Sequence, residues 1–465
     1  MFSFDCLRPF SNLAQLLSTH PSDTVRRLPP TPATTIVALP GKAQLVFVRD
    51  ADLMRTLARD RALDRGPGVN LLKSVFGPDT LFLMPHGKLH ERRAGEFNRH
   101  FGQRHIEALT PEIAAHANRA AATTRAALSA APDAPVDMRD IILRYLFDVG
   151  ARAIAGVDVD LCDQVDVFRR GVEALHREAT SMLKTALAAN LPGTAPYMAK
   201  EARRAADEFH EAGRRMLVAG ADRHDIGDSL ALSILKRHKI DPAQVNEATR
   251  LPKPVLVDAA MSLAASLFTT GNQIERTLHH FYEHPKELQQ LRRLIREDFP
   301  DGVGEVTQLR NCPTLRQLLP ATLTESPVGI VSRDVLDATS FTDGNGTSHP
   351  LRKGDAVIFD IEDMQARHVP DIDLALAEDG RPTLELFNQR HDDIVQTFFS
   401  GPNRCPGRYL AVADSQLFLI EMLSKFDGQS IDRNRPLERG IVNRLGGSPL
   451  MRLTPVRTER AISPP

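Results

Sequence analysis

The sequence predicts a mainly helical chain with small β-sheets, organised as one domain. Two observations carry this expectation. Most of the chain between about 88 and 297 falls into long segments of helical pattern, whereas β-branched and turn residues concentrate at 33–48, 328–360 and 440–454. No Pro/Gly/Ser-rich linker, charge run or internal repeat divides the 465 residues.

Taken in order, 33–48 alternates small, β-branched and polar residues around Leu39-Pro40-Gly41 and reads as two short strands joined by a turn. Residues 50–60 read as a helix with Asp50 as its N-cap. Residues 66–87, rich in Gly and Pro, read as a long loop. Helices are expected over 88–101, 106–130, 138–154, 163–190, 197–224 and 228–237. Pro252 and Pro254 introduce a long helix from Val255 to about His284, and 286–297 continues after Pro285. A short helix is expected at 315–323 and strands within 328–360, where Gly344-Asn345-Gly346 signals a turn. Residues 370–396 read as irregular, helix returns after Cys405, and 440–454 reads as a terminal hairpin around Gly446-Gly447.

The 58 basic and 59 acidic residues make no electrostatic case for a nucleic-acid partner. A hydrophobic content of 42% supports a packed core. Cys6, Cys162, Cys312 and Cys405 lack disulfide-like or metal-like spacing, which fits a reducing compartment. Asp5, Arg8 and Asn12 interrupt the mildly apolar first 18 residues, which have no signal-peptide layout. The most apolar window, 255–268, contains Asp258 and is shorter than the ~20 residues of a membrane span. The expectation is a soluble, cytoplasmic protein without a membrane anchor.

The most informative segment is 398–411, F-F-S-G-P-N-R-C-P-G-R-Y-L-A. Cys405 follows an aromatic-anchored loop and precedes an amphipathic helix pattern. A thiol there lies near a helix N-terminus, whose dipole and free N–H groups favour a thiolate and hence metal ligation. Phe398 suits a cover over the sulfur, and Gly401 a turn that a side chain would block. Pro406 suits the first helical position, and Gly407 close passage past a planar ring. The alternative is an ordinary small buried cysteine. With Ala411 the spacing is F-x-x-G-x-x-x-C-x-G-x-x-x-A, and in this the chain resembles the cytochrome P450 family. The resemblance implies haem b (iron protoporphyrin IX) with Cys405 as thiolate axial ligand. It implies a fold with a smaller β-containing lobe and a larger helical lobe, the haem lying between a long central helix and the cysteine loop. One position departs: where the family places an arginine for a haem propionate, two residues before the cysteine, this chain has Asn403, with Arg404 beside it.

On the long helix, Ala264 and Ala265 are small enough for a ring to approach the backbone. Alignment on His284-Pro285 puts the family's acid–alcohol pair at Phe268 and Thr269. A phenyl ring relays no proton. Thr269 remains to hydrogen-bond bound oxygen, or else only bonds back to the preceding turn. His90 and Arg333 match the family's propionate ligands. The arginine usually four residues after that histidine is Ala94, with Arg92 and Arg93 as substitutes; the alternative for these residues is solvated charge. The family's Glu-x-x-Arg motif falls on Ala321 and Thr324, and its third arginine near Leu386. All three charges are absent together, which leaves none stranded.

The resemblance thus implies a haem-thiolate monooxygenase acting on a medium-sized hydrophobic molecule, as in secondary metabolism. Electrons would come from a separate ferredoxin-type partner, since no flavin or iron–sulfur motif is present. Pocket walls are expected at 67–85, 264–269, 328–332 and 446–449, mostly apolar. Arg92, Arg93, Arg404 and Arg408 would form a basic patch for an acidic redox partner. Phe268 keeps two alternatives open: a peroxygenase, isomerase or dehydratase that bypasses the dioxygen cycle, and a non-catalytic haem or ligand-binding protein. The acidic residues around Asp371 and Glu378 read as solvated loop.

Overall fold

The computed structural model describes residues 34–38, 44–66, 69–179, 191–222, 229–303, 313–315, 318, 330–364, 398–432, 435–438 and 444–456. Strands β1 (Thr34–Ala38) and β2 (Gln44–Val48) pair antiparallel. Helix α1 (Ala51–Arg59) starts where the Asp50 carboxylate accepts from the Leu53 amide at 2.7 Å, and it buries Leu53, Met54, Leu57 and Ala58. β3 (Leu63–Asp64) follows.

The segment expected as loop then contains a helix, α2 (Asn70–Phe76). Leu71 and Val75, one turn apart, are buried, and Gly77, at φ +85°, ends it. Next come α3 (Lys88–His100), α4 (Gln103–Ala130), β4 (Val136–Asp137), α5 (Met138–Ala155), α6 (Val165–Ala179), α7 (Lys200–Ala221) and α8 (Leu230–Arg237). The helices lie close to the expected bounds, except that 180–190 of the helix expected at 163–190 lie outside the described residues. α9 (Lys253–Glu283) runs 31 residues from the Pro252/Pro254 start, and α10 (Pro285–Asp298) continues from Pro285. β5 (Ile330–Val335), β6 (Thr339–Thr342), β7 (Ser348–Leu351) and β8 (Ala356–Asp360) fill the expected strand region. α11 (Arg408–Lys425) follows Cys405 and leads to β9 (Phe426–Ser430), β10 (Leu437–Glu438), β11 (Arg444–Leu445) and β12 (Leu450–Pro455). Most of the helix expected at 315–323 lies outside the described residues, as do Ala321, Thr324, Leu386 and all of 370–396.

The main sheet has the order β1-β2-β8-β5-β3, with β2 and β8 parallel and the other pairs antiparallel. Among the described residues the expected terminal hairpin is not formed, and 440–443 of it lie outside them. β11 pairs with β10, while β12 pairs with β9 and β4. Burial chooses the partner: Met451 and Leu453 of β12 join Phe426 of β9 in the helical core, which a hairpin with β11 would not supply.

The chain has two main apolar cores. The larger lies among the helices, with α9 through it; the second lies between the main sheet and α1. A Cβ at Gly213 of α7 would sit 2.6 Å from the Leu256 carbonyl, so glycine lets the α7 and α9 backbones touch. Two buried carboxylates pin α9. Asp258 accepts from Arg93, from Arg237 at 2.7 Å and from His238 at 3.0 Å. Glu275 accepts from Arg139 at 2.9 Å and from Arg435. Each carboxylate is fully compensated, which makes these networks tolerable inside the protein. By length and composition α9 is long and apolar enough to cross a membrane, unlike the short window read from the sequence; 56% of its most apolar stretch is buried inside the fold.

Candidate functional site

The loop carrying Cys405 crosses the seam between the two cores. Phe398 packs against the helical core, whereas Phe399 is buried in the sheet core, edge-on to Phe359 with ring centroids 5.1 Å apart. Arg333 lies 4.8 Å over the Phe399 ring. Gly401, at φ +69°, rests on α1: a Cβ there would meet the Ala58 carbonyl oxygen at 2.7 Å, so only glycine fits. The Cys405 amide donates to the Phe398 carbonyl at 2.8 Å, which closes the loop.

Gly407 is different. Its φ is −82°, and the nearest atom to an added Cβ is Cys405 Sγ at 3.9 Å. Neither backbone conformation nor protein packing requires glycine there. Gly407 does line a cavity, and a side chain would enter it.

That cavity has a volume of about 510 Å³. Cys405, Gly401, Asn403, Gly407, Ala411, His90, Ala265 and Thr269 all line it, drawn from the loop, α11, α3 and α9. Phe398 and Arg333 do not line it. The face that α9 turns to the cavity includes Asp258, Ser262, Ala265, Ser266, Thr269 and Thr270, spaced three and four apart. The expected apolar wall is therefore polar on this side. Ala264 and Phe268 pack toward the cores instead, and Phe268 borders a separate cavity of about 80 Å³ that Pro449 also touches. The Thr269 hydroxyl donates to the Ala265 carbonyl at 2.9 Å, so this residue is both back-bonded and at the cavity wall.

Electrostatics single out a residue that sequence reasoning missed. The β3–β5 register pairs Asp64 with Asp334, so Arg65 stands opposite Arg333 one step further on. Both are 8% exposed. Burial, and then Arg333, pull the Arg65 guanidinium down to about 9; burial lowers Arg333 to about 10. Among the described residues neither makes an ion pair with a carboxylate. Arg65 donates to the Leu81 and Met84 carbonyls at 3.0 and 2.9 Å, and Arg333 to the Ser332 carbonyl at 2.7 Å. Asp64 is occupied by the Arg65 and His86 amides at 2.7 and 2.6 Å. His90 is buried with Nδ1 unpartnered; burial, and then Arg65, hold it down to about 4, so the ring is neutral. The buried Asn403 Oδ1 also lacks a partner, and turning that amide over would present its NH₂.

Burial raises the Cys405 thiol, against the opposing pull of the Gly407 amide, Arg408 and Arg404. The helix terminus alone does not make the expected thiolate; a bound cation is needed to draw the proton off. Among the described residues no group of three or more His, Cys, Asp or Glu side chains could hold a metal ion. A lone cysteine suits a metal that brings its other ligands with it. The expected basic patch also changes: Arg93 is buried on Asp258 and leaves it. No protein-family model matches the chain, and a search of curated proteins finds no match.

Proposed function

We propose that the chain is a haem-thiolate protein with the cytochrome P450 fold, and that it acts as a monooxygenase with Cys405 as axial ligand. One observation carries the reading: a single cavity of about 510 Å³ is lined by a lone thiol, a buried guanidinium, a neutral histidine and a hydroxyl-bearing helix face. The residues fit the group. A flat dianionic ring needs clearance beside the thiol, which Gly407 leaves, and cationic or donor contacts for its carboxylates. Arg65 and the Asn403 amide supply the latter from the cavity wall, and His90 can donate from one ring nitrogen; Arg333, which does not line the cavity, adds only its charge. Bound there, a thiolate-ligated haem would supply dioxygen activation.

The side chains do the rest. Phe97 and Phe101 give the cavity wall an apolar side. Thr269 Oγ carries a proton that it can swing from the Ala265 carbonyl into the cavity. Phe268 packs away and offers no acid to follow it, so that proton is replaced from solvent. The polar face of α9 favours a substrate with hydrogen-bonding groups over a pure hydrocarbon. Electrons would arrive from a ferredoxin-type donor. Phe268 favours one second reading, a peroxygenase that needs no proton relay.

The reduced, carbon-monoxide-treated protein should show the strongly red-shifted thiolate–haem band, and Cys405→Ser should lose it. A haem-loaded wild type lacking the band refutes the assignment. Turnover with peroxide alone, compared with reductase and reduced nicotinamide, separates the two chemistries.

A further inference from the structure

Arg65 has contacts on two sides. One points to the cavity that it lines, opposite the buried Arg333. On the other, one nitrogen holds the carbonyls of both Leu81 and Met84, while the neighbouring Asp64 holds the His86 amide. Leu81 and Phe82, in this same segment, form part of the cavity wall. At its near end the segment is held differently: Arg93 donates to the Asp79 carbonyl, and its charge is balanced by Asp258. The two tethers are thus unequal. The Arg93 charge is balanced by a direct ion pair to Asp258, whereas Arg65 makes no such pair among the described residues and faces Arg333, with Asp64 as the carboxylate near both.

We propose that Arg65 is a latch that couples an anionic group in the cavity to closure of the segment 77–87 over it. Two facing guanidiniums repel in a medium of low dielectric. A carboxylate bound to Arg65 from the cavity offsets that repulsion and lets Arg65 keep both carbonyls. Linkage makes the coupling reciprocal, so closure tightens binding by the same factor. The identity of the anion as a haem carboxylate rests on the function proposed above; the latch itself does not.

Hydrogen exchange of the 77–87 amides tests it. Haem should slow exchange at least tenfold, whereas haem dimethyl ester, whose carboxylates are blocked, should bind by absorbance without slowing it. Arg65→Gln should abolish the haem effect. Arg333→Gln, which removes the repulsion but none of the carbonyl contacts, should slow exchange in protein without porphyrin. Equal protection by both porphyrins, or a wild-type haem effect in Arg65→Gln, overturns the latch. If the ester does not bind, the Arg65→Gln comparison decides. If neither porphyrin binds, the haem reading fails. The ligand-free Arg333→Gln protein then judges the latch alone: slowed exchange supports it and unchanged exchange overturns it.

Discussion

Two glycines of one loop should respond oppositely to alanine. Gly401→Ala places a side chain at φ +69° with its Cβ 2.7 Å from the Ala58 carbonyl oxygen. The left-handed conformation costs about 1 kcal/mol. Displacing α1 or the loop adds roughly 1–3 kcal/mol, so the fold should lose about 2–4 kcal/mol. Gly407→Ala places its Cβ at φ −82° with 3.9 Å to the nearest atom. Its stability should stay within about 1 kcal/mol of wild type. Urea unfolding of protein without haem measures both. Haem titration followed by absorbance should then show Gly407→Ala binding at least about tenfold more weakly, since the new methyl enters the space that the ring would fill. Equal stability losses in the two variants, or wild-type haem affinity in Gly407→Ala, would show that this glycine is not kept for a ligand.

Three further outcomes are expected. His90 is held from 6.5 down to about 4, so its contribution to stability is present above pH 6.5 and lost as pH falls through that window. The difference is at most about 3 kcal/mol; the urea midpoint of His90→Phe should fall less than wild type between pH 7 and 4. Asp414 has the opposite sign. It is fully buried, both carboxylate oxygens lack partners, and burial raises it well above the usual range. Stability is full below its unfolded pKa and declines as pH rises, a slope that Asp414→Asn should remove from the same midpoint curve. Asp258→Leu strands Arg93, while Arg237 keeps Glu96, and should cost about 3–5 kcal/mol by calorimetry or urea.

Local chemistry made the helices legible. Asp50 caps α1 and the paired prolines start α9, each visible within a few residues. Cys405 and Gly407 are marked by the spacing of their loop and Thr269 by the family resemblance, and all three line the cavity. What failed was non-local. α2 hid among Gly and Pro residues because its burial depends on distant packing partners. β12 was assigned the wrong neighbour because its partner is selected by the helical core. Arg65 carries no local signal: its meaning depends on Arg333, 333 − 65 = 268 residues away. Arg93 looked solvated because Asp258 lies 165 residues on.

The seat of Gly401 on the Ala58 carbonyl also sets a schedule. These positions are 401 − 58 = 343 residues apart. At about 5–20 residues per second on the ribosome, α1 waits roughly 17–70 s for the loop that will rest on it. The thiol loop therefore emerges well after the helix on which it rests. A ligand of the kind proposed for Cys405 would have to wait until both segments have met, and α1 lacks this partner until then.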